Sequence, residues 1–243
     1  MDHGGLAVLY IKKIFSKEVN DEISRVKREQ KSLLEKNETK SAREAFEHLN
    51  KSVIRENLVK EQHGLCAYCM RRIDDSPATK IEHWQSIEKN PEGAIDYENM
   101  LGTCDGGQKI DEADNKRHIL CCDTSKGSKK ITINPLNFSQ MQKIRYDENG
   151  KIYTYPRDKT LEKDMNEILH LNGKNNLDTS TQLVRNRREA YRSFKNFIEK
   201  NGKNGKLNRS FIEKKIKKLE SQEIYDEFVG VTLYLLKRKL KQI

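Results

Sequence analysis

The sequence predicts an α+β protein, mostly helical, in which a small metal-held segment is embedded in a helical shell. Apolar residues recur at spacings of three and four near both ends of the chain, as in amphipathic helices. Between them, residues 63–136 lack this periodicity, are rich in Gly, Asp and Asn, and carry all five cysteines. We divide the 243 residues into N-terminal helices (1–62), the metal-held segment (63–136) and a C-terminal part (137–243).

Two helices are predicted in the N-terminal part, near residues 17–35 and 41–62. Both stretches are rich in helix-forming residues, and the second places Phe46 and Leu49 at helical spacing. We expect the second helix to end near Gly64, because glycine is common just past a helix end.

The C-terminal part begins with a predicted β-hairpin over residues 143–155. Asn149 and Gly150 separate two short β-prone runs, which is the signal for a two-residue hairpin turn. Helical spacing returns beyond Pro156, and a last pair of helices is expected over residues 209–241.

The cysteines predict a structural zinc site. Two thiolates spaced as in Cys66-x-x-Cys69 can bind one tetrahedral Zn²⁺ at Zn–S distances of about 2.3 Å. Cys104 supplies a third ligand, and Cys122 or Cys121 the fourth. We favour Cys122 and interpret Cys121 as a small buried residue. Disulfides are the alternative, although an odd number of cysteines in a chain without an export signal favours thiolate ligation.

The dipeptide Glu82-His83 lies between the two halves of this cysteine set. A neutral histidine can accept a proton from water, and a neighbouring carboxylate can bind a divalent ion. Because adjacent side chains on a strand point to opposite faces, both can act together only where the strand of residues 80–84 ends in a loop. The alternative is that both residues are purely structural.

The net charge of +10, with a pI near 9.2, favours a polyanionic partner. Residues 181–243 contain 17 Lys and Arg against 7 Asp and Glu, whereas the first 180 residues contain 30 of each. The whole excess therefore lies in the C-terminal quarter, where it could contact phosphates or form a solvated helical face. No long apolar run or cleavable leader is present, so we expect a cytoplasmic protein with no membrane association.

The order of these motifs resembles the HNH endonucleases of the ββα-metal type that carry a structural zinc. The resemblance covers roughly residues 58–192. Its motifs are Cys66-x-x-Cys69, Glu82-His83, Asn99, Cys104 and the run 122–127. The segments 134–136, 169–172 and 183–187 make the chain similar, more narrowly, to the PtuB-like nucleases of Septu and retron anti-phage defence systems.

This resemblance implies a role for each site residue. His83 would be the general base, and Glu82 with Asp123 would hold one catalytic Mg²⁺ or Mn²⁺. Asn99 would orient the histidine, and Lys126, one turn along a helix that follows Cys122, would contact phosphate. Asp123 departs from the Asn or His usual in the family. His118, in the long loop 105–120, could replace a zinc cysteine, contact phosphate or lie on the surface.

The resemblance also implies partners and a substrate. PtuB-like nucleases work with a PtuA-like ATPase and, in retrons, with a reverse transcriptase and its noncoding RNA. This chain contains no G-x-x-x-x-G-K-[ST] loop, so ATP use would come from the partner. The predicted function is cleavage of nucleic acid, with DNA favoured and tRNA or other RNA as further substrates. The alternative is a non-catalytic zinc-knuckle subunit that binds nucleic acid or a protein.

Overall fold

The computed structural model describes residues 10–109, 118–202 and 207–243. The fold is α+β, about half of it helical, with two small two-stranded sheets. Within the described residues, none of the helices has both the length and the apolar character needed to cross a membrane.

Four helices form the N-terminal part where two were predicted. They are α1 (Lys17–Glu29), α2 (Lys31–Leu34), α3 (Thr39–Glu47) and α4 (Lys51–Glu61). The predicted helix over residues 41–62 is interrupted by Asn50, whose extended backbone and side-chain oxygen cap α4 by accepting from Ser52 N at 3.1 Å. A residue that favours capping therefore overrides a continuous apolar spacing.

The glutamate–histidine pair lies on a short antiparallel sheet. Strand β1 (Lys80–His83) pairs with β2 (Met100–Thr103), so that His83 stands opposite Met100. Two short 3₁₀ turns, Pro91–Ile95 and Tyr97–Asn99, lie between the strands. Helix α5 (Cys122–Lys126) follows in the chain and begins at Cys122 itself, one residue earlier than expected. The predicted strand that ends beside a loop is also confirmed.

The predicted hairpin is present as β3 (Ile144–Tyr146) and β4 (Ile152–Thr154), preceded by α6 (Phe138–Met141). Its turn is longer than the two residues we expected. Asp147 accepts hydrogen bonds from the backbone N–H groups of Asn149 and Lys151 at 2.9 and 2.8 Å, and Gly150 takes a left-handed φ of +82°. The Asp147 side chain therefore closes a loop that is wider than the two-residue turn expected from Asn149-Gly150.

The C-terminal part is helical, as predicted. It comprises α7 (Lys159–Lys163), a π-helical turn (Asp164–Ile168), α8 (Leu183–Asn201), α9 (Arg209–Glu220) and α10 (Val229–Leu240). Arg187 of α8 is fully buried and donates to Gly150 O at 2.7 Å and Leu171 O at 2.6 Å. It therefore joins the hairpin turn to the helices.

The cysteine-rich segment is packed into the main apolar core. Its residues Leu65, Met70 and Leu101 belong to one buried cluster with the hairpin and with α8, α9 and α10. A second cluster joins α1 and α4 to the region around Tyr97 and Met100. We expected metal rather than a large core to hold this segment. Side-chain packing in the apolar core also stabilises it, so that expectation was incomplete.

Candidate functional site

Four buried cysteines converge as predicted and could hold a metal ion such as zinc. The Sγ atoms of Cys66, Cys69, Cys104 and Cys122 all lie within 4.8 Å of one another. The Sγ–Sγ distances are 3.9 Å for Cys66–Cys122 and 3.7 Å for Cys69–Cys104. A tetrahedron with Zn–S bonds of about 2.3 Å has edges of about 3.8 Å, so both distances match zinc. All five cysteines are free, and the disulfide alternative is therefore wrong.

The backbone adopts unusual conformations at the ligands. Met70, directly after Cys69, has a φ of +68°, and Cys122 itself has a φ of +55°. Cys66 N donates to Arg71 O at 2.8 Å, which closes the loop between the first two ligands. Left-handed backbone at a non-glycine residue costs about 1–3 kcal/mol and is common at ligand clamps. The strain at Cys122 is consistent with a residue selected for the direction of its thiol.

Cys121 lies beside the four ligands but makes different contacts. Its Sγ is 3.7 Å from that of Cys122, yet it also contacts Gly106 O at 3.5 Å and the Thr181 hydroxyl at 3.6 Å. The last two contacts are made to groups outside the cysteine set. Among the described residues, the four-cysteine set is the only group of three or more Cys, His, Asp or Glu residues close enough to share an ion, and it includes neither Cys121 nor His118.

His83 is buried with a defined tautomer. Its Nε2 lies 2.8 Å from the carbonyl oxygen of Ala94, and because a carbonyl only accepts, Nε2 carries the hydrogen. Nδ1 is therefore left with its lone pair. The Phe46 ring meets the imidazole edge to face at 4.7 Å between centroids. Burial lowers the pKa of His83 to about 4, so the ring is neutral near pH 7.

The carboxylate of Glu82 is buried beside a second carboxylate and an ammonium. Burial raises its pKa well above the usual value, and Asp123 raises it further. The Lys126 ammonium lies 2.5 Å from Glu82 Oε1 and donates to His83 O at 2.9 Å. Lys126 is only 1% exposed, so here its ammonium contacts protein groups, and the phosphate contact stays a prediction. Asp123 lies in the first turn of α5, as expected.

Asn99 joins the start of β2 to the loop that follows His83. Its side-chain oxygen accepts from Gln85 N at 2.8 Å, and its amide donates to Gln85 O at 2.9 Å and Gly93 O at 3.1 Å. Its own carbonyl accepts from Trp84 N at 2.9 Å. These bonds fix the residues after His83 and the turn that carries Ala94, which suits the orienting role we expected.

Three groups at the site were not predicted from the sequence. The Ala94 carbonyl fixes His83, and no side-chain pattern identifies a backbone acceptor. Tyr68 OH lies 3.4 Å from Glu82 Oε1. The position of Tyr68 inside Cys66-x-x-Cys69 is the one feature of the sequence that could have indicated its place at the site. The Lys80 ammonium is 3.9 Å from Asp123 Oδ2 and 3.0 Å from the Thr124 hydroxyl.

A search of protein-family models and a search of curated proteins found no match to this chain.

Proposed function

We propose that the protein is a metal-dependent endonuclease of the HNH type, which hydrolyses phosphodiester bonds of nucleic acid. The observation that carries the proposal is the neutral imidazole of His83, held by Ala94 O with Nδ1 unprotonated, on the strand that also carries Glu82. A zinc ion on Cys66, Cys69, Cys104 and Cys122 would be structural, because four thiolates complete its tetrahedral coordination.

The chain's own residues support the following chemistry. His83 accepts a proton at Nδ1 from a water molecule, which attacks phosphorus while the bond to the leaving oxygen breaks. The Ala94 carbonyl favours the imidazolium that forms, because it already accepts a hydrogen bond from Nε2. Asn99 holds the loop so that the imidazole keeps its direction.

Glu82 and Asp123 would hold the catalytic Mg²⁺ or Mn²⁺. Two neighbouring carboxylates suit a hard cation, and the Asp123 carboxylate adds to the burial that raises the pKa of Glu82. A bound divalent ion would stabilise negative charge on the leaving oxygen. Lys126 already offers one positive charge to Glu82, so it would have to share this carboxylate with the ion.

The substrate and partners follow from charge and from the resemblance. The excess of Lys and Arg in residues 181–243 suits a phosphate backbone read without base specificity, and we favour DNA over tRNA or other RNA. By the resemblance to PtuB-like nucleases, we propose a role in anti-phage defence together with a PtuA-like ATPase. A retron reverse transcriptase with its noncoding RNA is a further partner of the same proposal.

The experiment is a cleavage assay with added Mg²⁺ or Mn²⁺. Wild type and His83→Ala are each given plasmid DNA and total RNA, and cleavage of the two substrates is scored separately. We expect wild type alone to cleave, with both proteins binding equal zinc. Cleavage by both proteins would exclude His83 as the base.

A second candidate is a non-catalytic zinc-knuckle subunit. The buried ion pair between Lys126 and Glu82 favours it, because this pair satisfies the carboxylate without any metal ion. This candidate predicts that Glu82→Gln lowers the free energy of unfolding but leaves nucleic-acid binding and function in the cell unchanged.

A further inference from the structure

The outward face of the β3–β4 hairpin combines tyrosines with basic residues. On the inward face, Ile144, Tyr146 and Ile152 are buried against the cysteine-rich segment. Because side chains alternate along a strand, Arg145 and Tyr153, which are directly paired in the ladder, point outward.

The pairing continues for one residue beyond the strands. Tyr155 N donates to Lys143 O at 2.8 Å, which places Lys143 opposite Tyr155 on the same outward face. Tyr153 is 37% exposed and Tyr155 is 67% exposed. The face therefore carries two neighbouring pairs of a tyrosine and a basic residue. Lys143 is held by Asp158 at 2.9 Å, and Arg145 donates to two backbone carbonyls.

Helix α10 extends this basic and aromatic surface. The Tyr153 hydroxyl forms a hydrogen bond with Tyr234 and lies within electrostatic range of the positive charges of Arg145 and Arg238. The Arg145 guanidinium lies 5.9 Å from the centre of the Tyr234 ring. Arg238 itself is exposed. We call the set Lys143, Arg145, Tyr153, Tyr155 and Arg238 the hairpin outer face.

We propose that the hairpin outer face binds single-stranded nucleic acid, with bases stacked on Tyr153 and Tyr155 and phosphates beside Arg145 and Arg238. As an account of substrate choice, this inference rests on the proposed nuclease function. Aromatic platforms beside cations are the general means of binding single strands, since every base offers a flat face and every nucleotide a negative charge.

The spacing of the tyrosines fits exposed bases. Residues two apart on a strand are separated by about 6.6 Å, roughly twice the 3.4 Å rise between stacked bases, so one base can lie between the two rings. A duplex covers the faces of its bases, which leaves only the cations to bind it. The face should therefore prefer single strands, whether DNA or RNA.

The test measures binding without cleavage. Full-length protein with its zinc, and without added Mg²⁺ or Mn²⁺, is titrated into fluorescently labelled oligo(dT), oligo(U) and duplex DNA of equal length, and anisotropy is recorded. Tyr153→Leu and Tyr155→Leu should each weaken single-strand binding by roughly five- to one-hundred-fold, whereas Tyr153→Phe should bind like wild type. Duplex binding should be unchanged.

Two controls separate stacking from charge and from damage to the fold. Phe15→Leu removes another exposed ring, 46% exposed and packed near Tyr97, and should leave binding unchanged. Arg145→Gln should reduce the slope of log affinity against log salt by roughly 0.7, whereas Tyr153→Leu should not change that slope. Zinc content and circular dichroism verify that each variant is folded.

The inference is overturned if the leucine variants bind single strands like wild type, or if wild type binds duplex at least as tightly. Either result would assign this face to a protein partner or to solvent. Weakened binding of the leucine variants, with no cleavage by wild type even when the proposed ATPase partner is added, would retain the inference and reject the nuclease. Cleavage by wild type, together with unaltered single-strand binding by the leucine variants, would retain the nuclease and reject the inference.

Discussion

Replacing each of the adjacent residues Cys121 and Cys122 by alanine should have opposite effects on zinc binding. Cys122 Sγ lies 3.9 Å from that of Cys66, close to the edge of about 3.8 Å of a zinc–thiolate tetrahedron. Cys121 Sγ is 3.7 Å from that of Cys122, but it also contacts Gly106 O and the Thr181 hydroxyl and lies outside the four-cysteine set. We therefore expect Cys121→Ala to retain one zinc per chain and Cys122→Ala to lose it.

The two substitutions should also differ greatly in stability. Cys121 is completely buried, and removal of one sulfur atom from a packed site costs about 1–2 kcal/mol. Loss of zinc removes a binding free energy of about 10 kcal/mol, which is comparable to the whole stability of a typical domain. Cys122→Ala should therefore be unfolded or unfold at much lower denaturant concentration.

The assay is zinc per chain by elemental analysis, together with denaturant unfolding followed by circular dichroism. Cys104→Ala serves as a matched control at an undisputed ligand and should behave like Cys122→Ala. Zinc retained by Cys122→Ala, through substitution of Cys121 as ligand, would refute our assignment of the fourth ligand.

Three further predictions concern the carboxylate–histidine site. Lys126→Met should lower the free energy of unfolding by about 3 kcal/mol, because it leaves Glu82 buried without its positive partner. A loss below about 1 kcal/mol in denaturant titrations would contradict this prediction. The pKa of His83 is about 4 in the folded protein, below the usual 6.5. Between these pH values the unfolded chain binds more protons than the folded protein. The free energy of unfolding should therefore fall by about 3 kcal/mol as the pH drops from about 6.5 to 4. His83→Gln should lack this part of the pH dependence, and equal pH profiles for both proteins would show that His83 does not titrate differently on unfolding. Asn99→Ala should lower the cleavage rate by about 10²-fold at unchanged zinc content, because Gln85 and the loop lose their anchor; an unchanged rate in single-turnover assays would exclude this role.

The sequence predicted the features that depend on local geometry. Cys66-x-x-Cys69 defines half of a metal site by its spacing alone, and the structure brings Cys104 and Cys122 to it as expected. The hairpin was likewise predicted by β-prone runs on either side of Asn149-Gly150.

The remaining features depend on contacts between distant parts of the chain. The buried ammonium of Lys126 against Glu82 could not be inferred, because lysine is mostly an exposed residue and the sequence does not show which carboxylate the fold brings beside it. The hydrogen bond from His83 to the Ala94 carbonyl depends on the path of the turn after β1. The break before α4 has a different cause, since Asn50 caps the helix through a local bond with Ser52 N, a signal that the apolar spacing masked.

The pairing of Arg145 with Tyr153 on the hairpin could be predicted only in part from the sequence. Alternation along a strand predicts which residues share a face, but not which face the protein core covers. Packing of Ile144 and Ile152 on the cysteine-rich segment leaves Tyr153 and Tyr155 on the outward face. The hairpin thus packs against the cysteine-rich segment on one side and carries the proposed binding surface on the other.

The most direct test of the account compares three proteins in one cleavage assay: wild type, His83→Ala and His48→Ala, the last as a control because His48 is an exposed histidine. With Mg²⁺ or Mn²⁺ added, and with equal zinc content, wild type and His48→Ala should cleave plasmid DNA or RNA while His83→Ala should not. Equal cleavage by all three proteins, or no cleavage by wild type even with the proposed ATPase partner added, would contradict the proposed nuclease.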